Sequence, residues 1–372
     1  MLMVANVDWI FIAHRLPIAK EALKRGYKVL VLANDSGRAD EITQEGIEFV
    51  NLPMSRSGVN PFIEFFVLLK MLFLYIKIKP TVVYHVTMKP VIYGSIISRF
   101  LRLNTVNAIS GLGYNFTEGH KGLVKSFMIK LMRFGFNKER NSLIFENTDD
   151  LKELKNLKIV TSKNKVEVIK GVGADLIKFS YTAPIKKEKL IVLLATRMLW
   201  DKGVKEFVEV AKQMQEKYMG SVFFKLCGRI DKGNPRLVPE SYLNSIKIEG
   251  YLEWFGYQED IAEEYRQSDI VVLPSYREGM PTVLIEACAI GRPLVTTTAI
   301  GCRECVEEHW NGYKVPVKSI DALAEAIEKL ILNKDSRVLM GINSRIKAEK
   351  EFDQSEVVTK QLDICDCLVN VC

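Results

Sequence analysis

The sequence predicts an α/β protein built of two Rossmann-like, doubly wound domains. Short apolar segments with strand character alternate with segments of helical length through both halves of the chain, which is typical of parallel sheets covered by helices. The length of 372 residues suits two domains, each able to bury its own core. With 48% hydrophobic and 26% charged residues, the composition is that of a globular protein.

The first half contains six predicted strands and two clear helices. The strands are the short apolar segments 1–7, 27–33, 82–86, 106–109, 143–146 and 166–169. The helices are predicted at 16–25, where Gly26 stops the pattern, and around 92–101.

The segment 61–78 is long and apolar enough to need separate treatment. Its length approaches a membrane span, but Glu64, Lys70 and Lys77 interrupt it, and a central lysine costs roughly 2.5–3.5 kcal/mol on insertion. We expect a largely buried helix between two strands. A helix lying on a membrane surface is the alternative.

The second half repeats the alternation. Its predicted strands and helices are, in order, 190–195, 204–217, 222–227, 261–267, 270–273, 282–289 and 294–297. The boundary between the halves falls near 175–189, which is polar and broken by proline. We therefore predict one domain over 1–178, with 350–372 packing back on it, and another over 188–349.

Charge is unevenly distributed between the two halves. Residues 1–180 hold 26 Lys and Arg against 16 Asp and Glu, a balance of +10, whereas 181–372 balance at −3. A basic first half predicts an anionic partner there, and without a nucleic-acid motif we favour a membrane surface or a lipid diphosphate. The stretch 121–138 predicts a basic amphipathic helix that lies on such a membrane or, alternatively, a core helix with a solvated basic edge.

Cysteine usage and the N-terminus indicate a cytoplasmic protein. Seven cysteines are an odd number for a disulfide framework, and Cys302 and Cys305 form a lone C-x-x-C without a second pair at zinc spacing. We expect reduced thiols throughout. Because Asp8 interrupts the first apolar stretch, we expect no signal peptide. We also expect the protein to attach peripherally to a membrane and not to span it.

A loop and helix near residue 278 carry the most informative pattern in the chain. Glu278 follows a predicted strand and Glu286 lies on the next helix, which Pro281 suits as first residue because its missing N–H is not needed there. The helix start offers backbone N–H groups from Met280 to Val283 as a cradle for a diphosphate. Two carboxylates beside such a cradle indicate a nucleotide-sugar site, one for the sugar and one for the ribose.

These two glutamates, with seven residues between them, resemble the signature of glycosyltransferase family 4, the retaining enzymes of the GT-B fold. The turn and strand of 291–298 and the loops of 301–304 and 311–316 resemble the same family. The resemblance covers nearly the whole chain and is strongest over 190–316. It implies two Rossmann-like domains facing a cleft, with a C-terminal helix, here 346–361 together with the residues after it, crossing back to the first domain.

The resemblance also implies roles for residues that contact the donor. Arg197 and Lys202 match two cations on the leaving nucleoside diphosphate, and a loop between a strand and a helix is a natural place for an anion. Glu278 is expected to contact the transferred sugar and Glu286 the ribose. The other expected donor contacts are Gly228, Arg229, Tyr257, Gly279, Met280, Pro281, Thr282 and Val283. For Tyr257 and its aromatic neighbours, core packing is the alternative.

No D-x-D motif occurs in the chain. Sugar transferases of the other major fold commonly use that motif to hold a divalent cation. Its absence agrees with protein cations that stabilise the leaving group, so we expect no catalytic metal and no cofactor.

The first half resembles the branch of the family that builds bacterial surface glycans on lipid carriers. His14 and Arg15 are expected to face the acceptor, or else to cap the next helix, and Ser110 and Gly111 belong to a second matching loop. Many relatives carry a histidine where Ser110 stands. His85, at a strand end, is an available imidazole for the acceptor site, unless it is a packed core residue.

The function implied is a retaining, metal-independent glycosyltransferase. It would move a hexose or an N-acetylhexosamine from a UDP-sugar to a polyprenyl-diphosphate-linked glycan at the cytoplasmic face of a bacterial membrane. An NAD-dependent oxidoreductase is one alternative, which the lack of G-x-G-x-x-G after any strand disfavours. A catalytically silent nucleotide-sugar-binding protein is the other.

Overall fold

The structure, a computed structural model, describes residues 1–55, 60–112 and 122–370. The chain forms two compact units. The first contains Met1–Val172 and Glu356–Cys372, and the second contains Gly173–Ser355. Both units are helix-covered parallel sheets, which confirms the predicted α/β class.

The first unit is built on a seven-stranded parallel sheet in the order β3-β2-β1-β4-β5-β6-β7. Its strands are β1 (Leu2–Val7), β2 (Leu30–Asn34), β3 (Glu48–Asn51), β4 (Val82–Val86), β5 (Asn104–Ile109), β6 (Asn141–Phe145) and β7 (Asn164–Val168). The strands β1, β4 and β6 are buried along their whole length, as expected of a parallel sheet covered by helices. Strand order reverses between β1 and β4, and ligands of such sheets bind beside that point, at the carboxyl ends of the strands.

Seven helices of the first unit precede its C-terminal helix in the described part of the chain. They are α1 (Asp8–His14), α2 (Leu16–Lys24), α3 (Ala39–Thr43), α4 (Pro61–Ile78), α5 (Met88–Phe100), α6 (Leu123–Phe136) and α7 (Thr148–Asn156). Strand β3 and helices α1, α3 and α7 have no counterpart in the sequence prediction, because their segments are short, of four to nine residues.

The expectation of a largely buried α4 is wrong. The helix begins where the side chain of Asn60 accepts a hydrogen bond from the Phe62 amide, and it buries only the stripe of Val67, Met71 and Tyr75 against the sheet. Leu68, Leu72, Leu74 and Ile78 are half-buried beside that stripe, and the remaining apolar side chains described on α4 lie open to solvent. The exposed apolar side chains of α4 are Phe62, Ile63, Phe65, Phe66, Leu69, Phe73 and Ile76, with exposed fractions from 44% to 78%.

Helix α6 realises part of the predicted basic helix. Lys130 and Arg133 are exposed, together with Phe127 and Phe134. Lys138, counted with them in the prediction, instead turns inward to the Leu103 carbonyl, and burial lowers its pKa to about 7. Lys121 and the residues 113–120 before it lie outside the described residues.

The second unit has a six-stranded parallel sheet in the order β10-β9-β8-β11-β12-β13. Its strands are β8 (Leu190–Ala195), β9 (Val222–Cys227), β10 (Leu252–Trp254), β11 (Ile270–Leu273), β12 (Leu294–Thr297) and β13 (Gly312–Val315). Order reverses between β8 and β11, so the loops that follow these two strands flank the expected binding edge.

Six helices cover this sheet. They are α8 (Val204–Tyr218), α9 (Glu240–Ser245), α10 (Ile261–Gln267), α11 (Thr282–Ile290), α12 (Ile320–Leu332) and α13 (Lys334–Glu351). Helix α11 is buried on almost every side, which its apolar sequence anticipates. Pro281 is the extended residue before α11, not its first helical residue as predicted, so the helix begins at Thr282.

The C-terminal segment is two helices, not the single one expected at 346–361. Helix α13 ends at Glu351, Phe352 is buried in a non-helical conformation, and α14 (Gln354–Asn370) follows. Asp353 makes the break because its Oδ1 accepts hydrogen bonds from the Ser355 amide and hydroxyl, each at 2.8 Å.

Helix α14 crosses back to the first unit, as the GT-B fold implies. Its buried face, including Leu362 and Cys365, packs into the core under β1. Arg25 also holds it through ion pairs of 2.7 Å with both Asp363 and Asp366. The last helix is therefore part of the first unit's core and not an appendage.

Two further properties of the described residues bear on the predictions. None of the helices there combines the length and apolar character that crossing a membrane requires. Six cysteines in that part of the chain are free thiols, and five of them are buried.

Candidate active site

Lys202 and Glu278 meet at the carboxyl edge of the second sheet. Lys202 ends a single 3-10 turn after β8, and Glu278 lies on the loop after β11. The Lys202 ammonium pairs with Glu278 Oε1, and both side chains are largely buried. Two of the predicted catalytic residues, 76 positions apart in sequence, therefore form one ion pair.

The loop that carries Glu278 is held from several sides. The Ser275 hydroxyl lies 2.7 Å from Glu278 Oε1, and the Glu278 amide donates to the Ile300 carbonyl at 2.9 Å. Gly301 lies so close that a Cβ on it would come within 2.6 Å of the Glu278 carbonyl oxygen. The Glu278 carboxylate is thus fixed before any ligand arrives.

Arg197 pairs with a carboxylate that the sequence analysis missed. Its Nη1 lies 2.6 Å from Asp231 Oδ2, and Asp231 is buried whereas Arg197 is about one-third exposed, at 36%. The loops after β8 and β9 are joined there by a hydrogen bond of 3.0 Å from the Met198 amide to the Arg229 carbonyl. The signal for Asp231 was its place four residues beyond strand β9 and three beyond Gly228.

Glu286 faces Tyr265 from the first turns of α11. The Tyr265 hydroxyl donates to Glu286 Oε2 at 3.1 Å. Burial raises the pKa of the Glu286 carboxyl to about 7, although the bond from Tyr265 and the charge of Lys178 favour its ionised form. This carboxyl can therefore gain or lose a proton near neutral pH.

The start of α11 provides part of the expected anion cradle. Pro281 has no N–H, so Thr282 and Val283 bring the first helical amides, and helical geometry leaves these without a partner within the helix. Gly279 precedes them on the loop. The Met280 side chain is buried, with its sulfur 3.4 Å from Cys305 Sγ. Only the backbone of Met280 can therefore contact a ligand.

Gly228, Arg229 and Tyr257 lie on neighbouring loops at this edge. The Gly228 amide donates to the Gly256 carbonyl at 2.6 Å, and the Trp254 indole donates to the Gly228 carbonyl at 2.9 Å. Arg229 is half-buried. Tyr257 is 61% exposed, which argues against core packing and leaves its ring free to stack on a base.

In the first unit, Arg15 and Ser110 meet, together with Glu146. Arg15 Nη2 donates to Ser110 Oγ at 2.8 Å and lies 3.4 Å from Glu146 Oε1. Arg15 directly precedes α2, yet its side chain makes no capping bond within the described residues, contrary to the alternative interpretation. His14, half-buried, precedes it, and Gly111 follows Ser110 with a φ of 97°.

His85 is a core residue, and its expected contact with the acceptor is wrong. The ring is fully buried, with Nε2 at 2.9 Å from Tyr75 Oη and Nδ1 at 2.8 Å from Asn107 Oδ1. Burial lowers its pKa to about 3, so the imidazole is neutral. A Cβ on Gly94 would overlap the ring, which shows how tightly the site is packed.

A cavity of about 400 Å³ opens at the carboxyl ends of the first three strands. Its lining is mostly apolar and consists of Val7, Asn34, Pro53, Met54, Ser55 and Ile63. Ile63 also belongs to the exposed face of α4, so the cavity and that apolar face are continuous.

Comparison with known proteins identifies the family. Residues 175–347 match the family described as glycosyl transferases group 1, and residues 1–147 match the family described as glycosyl transferase 4-like. The N,N'-diacetylbacillosaminyl-diphospho-undecaprenol alpha-1,3-N-acetylgalactosaminyltransferase of Campylobacter jejuni is 30% identical over 95% of each chain. This chain is a group 1 glycosyltransferase.

One further relative and one solved structure are also similar to this glycosyltransferase. The UDP-Gal:alpha-D-GlcNAc-diphosphoundecaprenol alpha-1,3-galactosyltransferase of Escherichia coli is 27% identical over 50% of this chain and 48% of its own. Anabaena HepE, solved in complex with UDP-glucose, shares the fold, with a TM-score of 0.78, 18% identity and 98% coverage of both chains. Membership of this family excludes the alternative that the chain is an NAD-dependent oxidoreductase.

The residues that sequence analysis of this glycosyltransferase missed share one property. Each of them contacts a predicted site residue because folding brings the two together. They are Asp231, Ser275, Tyr265 and Glu146. Glu146 had a usable signal, because a carboxylate directly after the buried strand β6 is costly without a partner.

Proposed function

We propose that this glycosyltransferase moves a hexose or an N-acetylhexosamine, with retention, from a UDP-sugar to a polyprenyl-diphosphate-linked glycan. The observation that carries the proposal is the set of two cation–carboxylate pairs, Lys202–Glu278 and Arg197–Asp231, at one edge of the second sheet. The names of the Campylobacter and Escherichia relatives support the lipid-linked acceptor, and the second also supports a UDP-sugar donor.

The free site is neutralised by its own carboxylates. When a diphosphate binds, its oxygens compete for the Lys202 ammonium and the Arg197 guanidinium, which then stabilise the charge that grows on the departing diphosphate. Glu278, released from Lys202, becomes able to accept hydrogen bonds from the sugar hydroxyls. We propose that these two cations of the protein, without a metal or another cofactor, supply the leaving-group stabilisation.

Transfer to acceptors tests the proposal directly. UDP-GlcNAc, UDP-GalNAc, UDP-Glc and UDP-Gal would each be incubated with GlcNAc-diphospho-undecaprenol, and the product and its anomeric configuration determined. Thermal-shift titration with UDP and NAD would run alongside. Stabilisation by NAD alone, or a β-linked product from these α-linked donors, would contradict the proposal.

The pKa of Glu286 predicts that UDP binds more tightly as the pH rises. Ribose hydroxyls donate hydrogen bonds, so the expected contact needs the ionised carboxylate, which is the minority form below pH 7 in the free protein. Affinity should rise about tenfold between pH 6 and pH 8 relative to a Glu286→Gln control, which corrects for the titration of UDP itself. The free protein should lose stability as the pH rises from about 4.5, the ordinary pKa of a glutamate carboxyl, to about 7, and change little above that, because burial disfavours the charged form. Parallel pH profiles of the two proteins would refute the ribose assignment.

We also propose that the first unit attaches this enzyme peripherally to the cytoplasmic face of the plasma membrane. The exposed aromatic face of α4 and the basic, aromatic surface of α6 support this, because apolar rings insert at an interface while lysines and arginines meet anionic headgroups. The basic balance of residues 1–180 agrees with it.

Liposome sedimentation tests the attachment. The double variant Phe66→Asp/Phe73→Asp should lower binding to anionic vesicles about tenfold or more, because two ring insertions are lost. Leu332→Asp, at a comparably exposed apolar residue of the second unit, is the matched control and should bind like the wild type. Added salt should weaken the electrostatic share of binding. Wild-type binding by the double variant would remove α4 from the attachment surface.

A further inference from the structure

The carboxyl edge of the first sheet holds a buried ion pair beneath an exposed hydroxyl. Arg15 is 2% exposed, and Glu146 is also buried, directly after β6. Ser110, directly after β5, is exposed. The Arg15 guanidinium reaches the His14 carbonyl at 3.0 Å, Ser110 Oγ at 2.8 Å and Glu146 Oε1 at 3.4 Å.

These contacts determine which hydrogen bonds the Ser110 hydroxyl donates and which it accepts. A hydroxyl has one proton to donate and two lone pairs to accept with. Arg15 donates to one lone pair. Burial raises the pKa of the Glu146 carboxyl, although the charge of Arg15 and a hydrogen bond from the Ser110 hydroxyl favour its ionised form, and in that form the carboxylate accepts the serine proton. One lone pair of Ser110 remains on the exposed side. Ser110 can therefore accept one further hydrogen bond but has no proton left to offer.

We propose that Glu146 is a positioning residue for the acceptor, acting through Ser110. With Arg15 it fixes the serine hydroxyl as a hydrogen-bond acceptor for one donor group of the acceptor sugar, a hydroxyl or an amide N–H. The inference rests on the proposed function for the identity of the ligand. It assigns a role to a residue that neither the sequence motifs nor the family comparisons singled out.

A contribution to folding stability does not by itself explain why Arg15 and Glu146 are buried as a pair. Two charges lose much of their hydration when they are buried, and replacing such a pair with apolar side chains of similar volume is often neutral or stabilising. The Nε of Arg15 is also buried, and no atom of the described residues accepts a hydrogen bond from it, an added cost. An exposed hydroxyl oriented by this costly pair, at the sheet edge where ligands bind, indicates that the pair acts on a ligand.

Binding of a short acceptor tests the role without requiring turnover. The probe is GlcNAc-diphosphate carrying a farnesyl chain, with its dissociation constant measured by calorimetry and with UDP measured separately. Ser110→Ala and Glu146→Gln should each weaken probe binding about 10–100-fold, as expected for one hydrogen bond held by charged groups, and leave UDP binding unchanged. Where the wild type transfers sugar, the same loss should appear in the KM for the acceptor, with kcat close to wild type.

A double variant separates action through Ser110 from independent effects. If Glu146 works through the serine hydroxyl, Ser110→Ala/Glu146→Gln should bind the probe no more weakly than Ser110→Ala alone. Asp366→Asn is the matched control, because it removes a carboxylate paired with an arginine elsewhere in the same unit. It should lower the unfolding temperature and leave probe binding intact.

The possible failures can be told apart. Additive losses in the double variant, or a Glu146→Gln that only lowers the unfolding temperature as Asp366→Asn does, would overturn the inference. So would a wild type that does not bind the probe. A wild type that binds the probe but transfers no sugar would contradict the proposed function and leave the positioning role standing on the binding data.

Discussion

Lys202→Ala should lower kcat for sugar transfer by about 10²–10³-fold. The ammonium is needed most as the UDP–sugar bond breaks, when negative charge grows on the departing diphosphate. Because the effect arises in the transition state, the KM for the donor should change much less than kcat. Steady-state kinetics with saturating acceptor would measure both.

The chain offers a matched control for this lysine. Lys205, three residues further along, is exposed on α8, so Lys205→Ala removes an equal charge from the same region and should retain wild-type kcat. An unchanged kcat in Lys202→Ala would remove the diphosphate assignment. A fall in stability without a fall in kcat would leave Lys202 as the structural partner of Glu278 only.

Gly228→Ala should markedly lower the temperature at which the second unit unfolds. Gly228 has a φ of 146°, and an added Cβ would lie 1.6 Å from the carbonyl oxygen of Thr196, a backbone atom that cannot turn away. Backbone strain and overpacking together cost roughly 2–6 kcal/mol. For a unit of this size we expect the unfolding midpoint to fall by roughly 5–20 °C.

Donor binding should be lost with that stability. The β9 loop would have to move away from Thr196, which would carry Asp231 away from its partner Arg197. Gly220→Ala is the control, because a Cβ there meets nothing within 4 Å. Calorimetric scans of both variants, with and without UDP, would measure the effect. A Gly228→Ala protein with wild-type stability would show that the β8 and β9 loops do not approach so closely in solution.

The fold could be predicted from the sequence because its signals are local. Strand β8 and strand β11 have the predicted bounds, since a continuous apolar run between turn residues specifies a buried parallel strand. Glu278 and Glu286 were recognisable for the same reason. Glu278 lies on a loop and Glu286 on the helix that directly follows it, so their spacing in sequence reflects their distance in the structure.

What the sequence by itself determined, then, is the α/β class, the central strands and the family motif of Glu278 and Glu286. Only the tertiary structure decided which distant side chains pair, as in Lys202 with Glu278 and Arg15 with Glu146. It also decided that His85 is enclosed while the aromatic face of α4 is left open. The physical reason is the same for all of these. Hydrophobicity and charge are properties of a residue, whereas burial and pairing depend on what the rest of the chain places beside it.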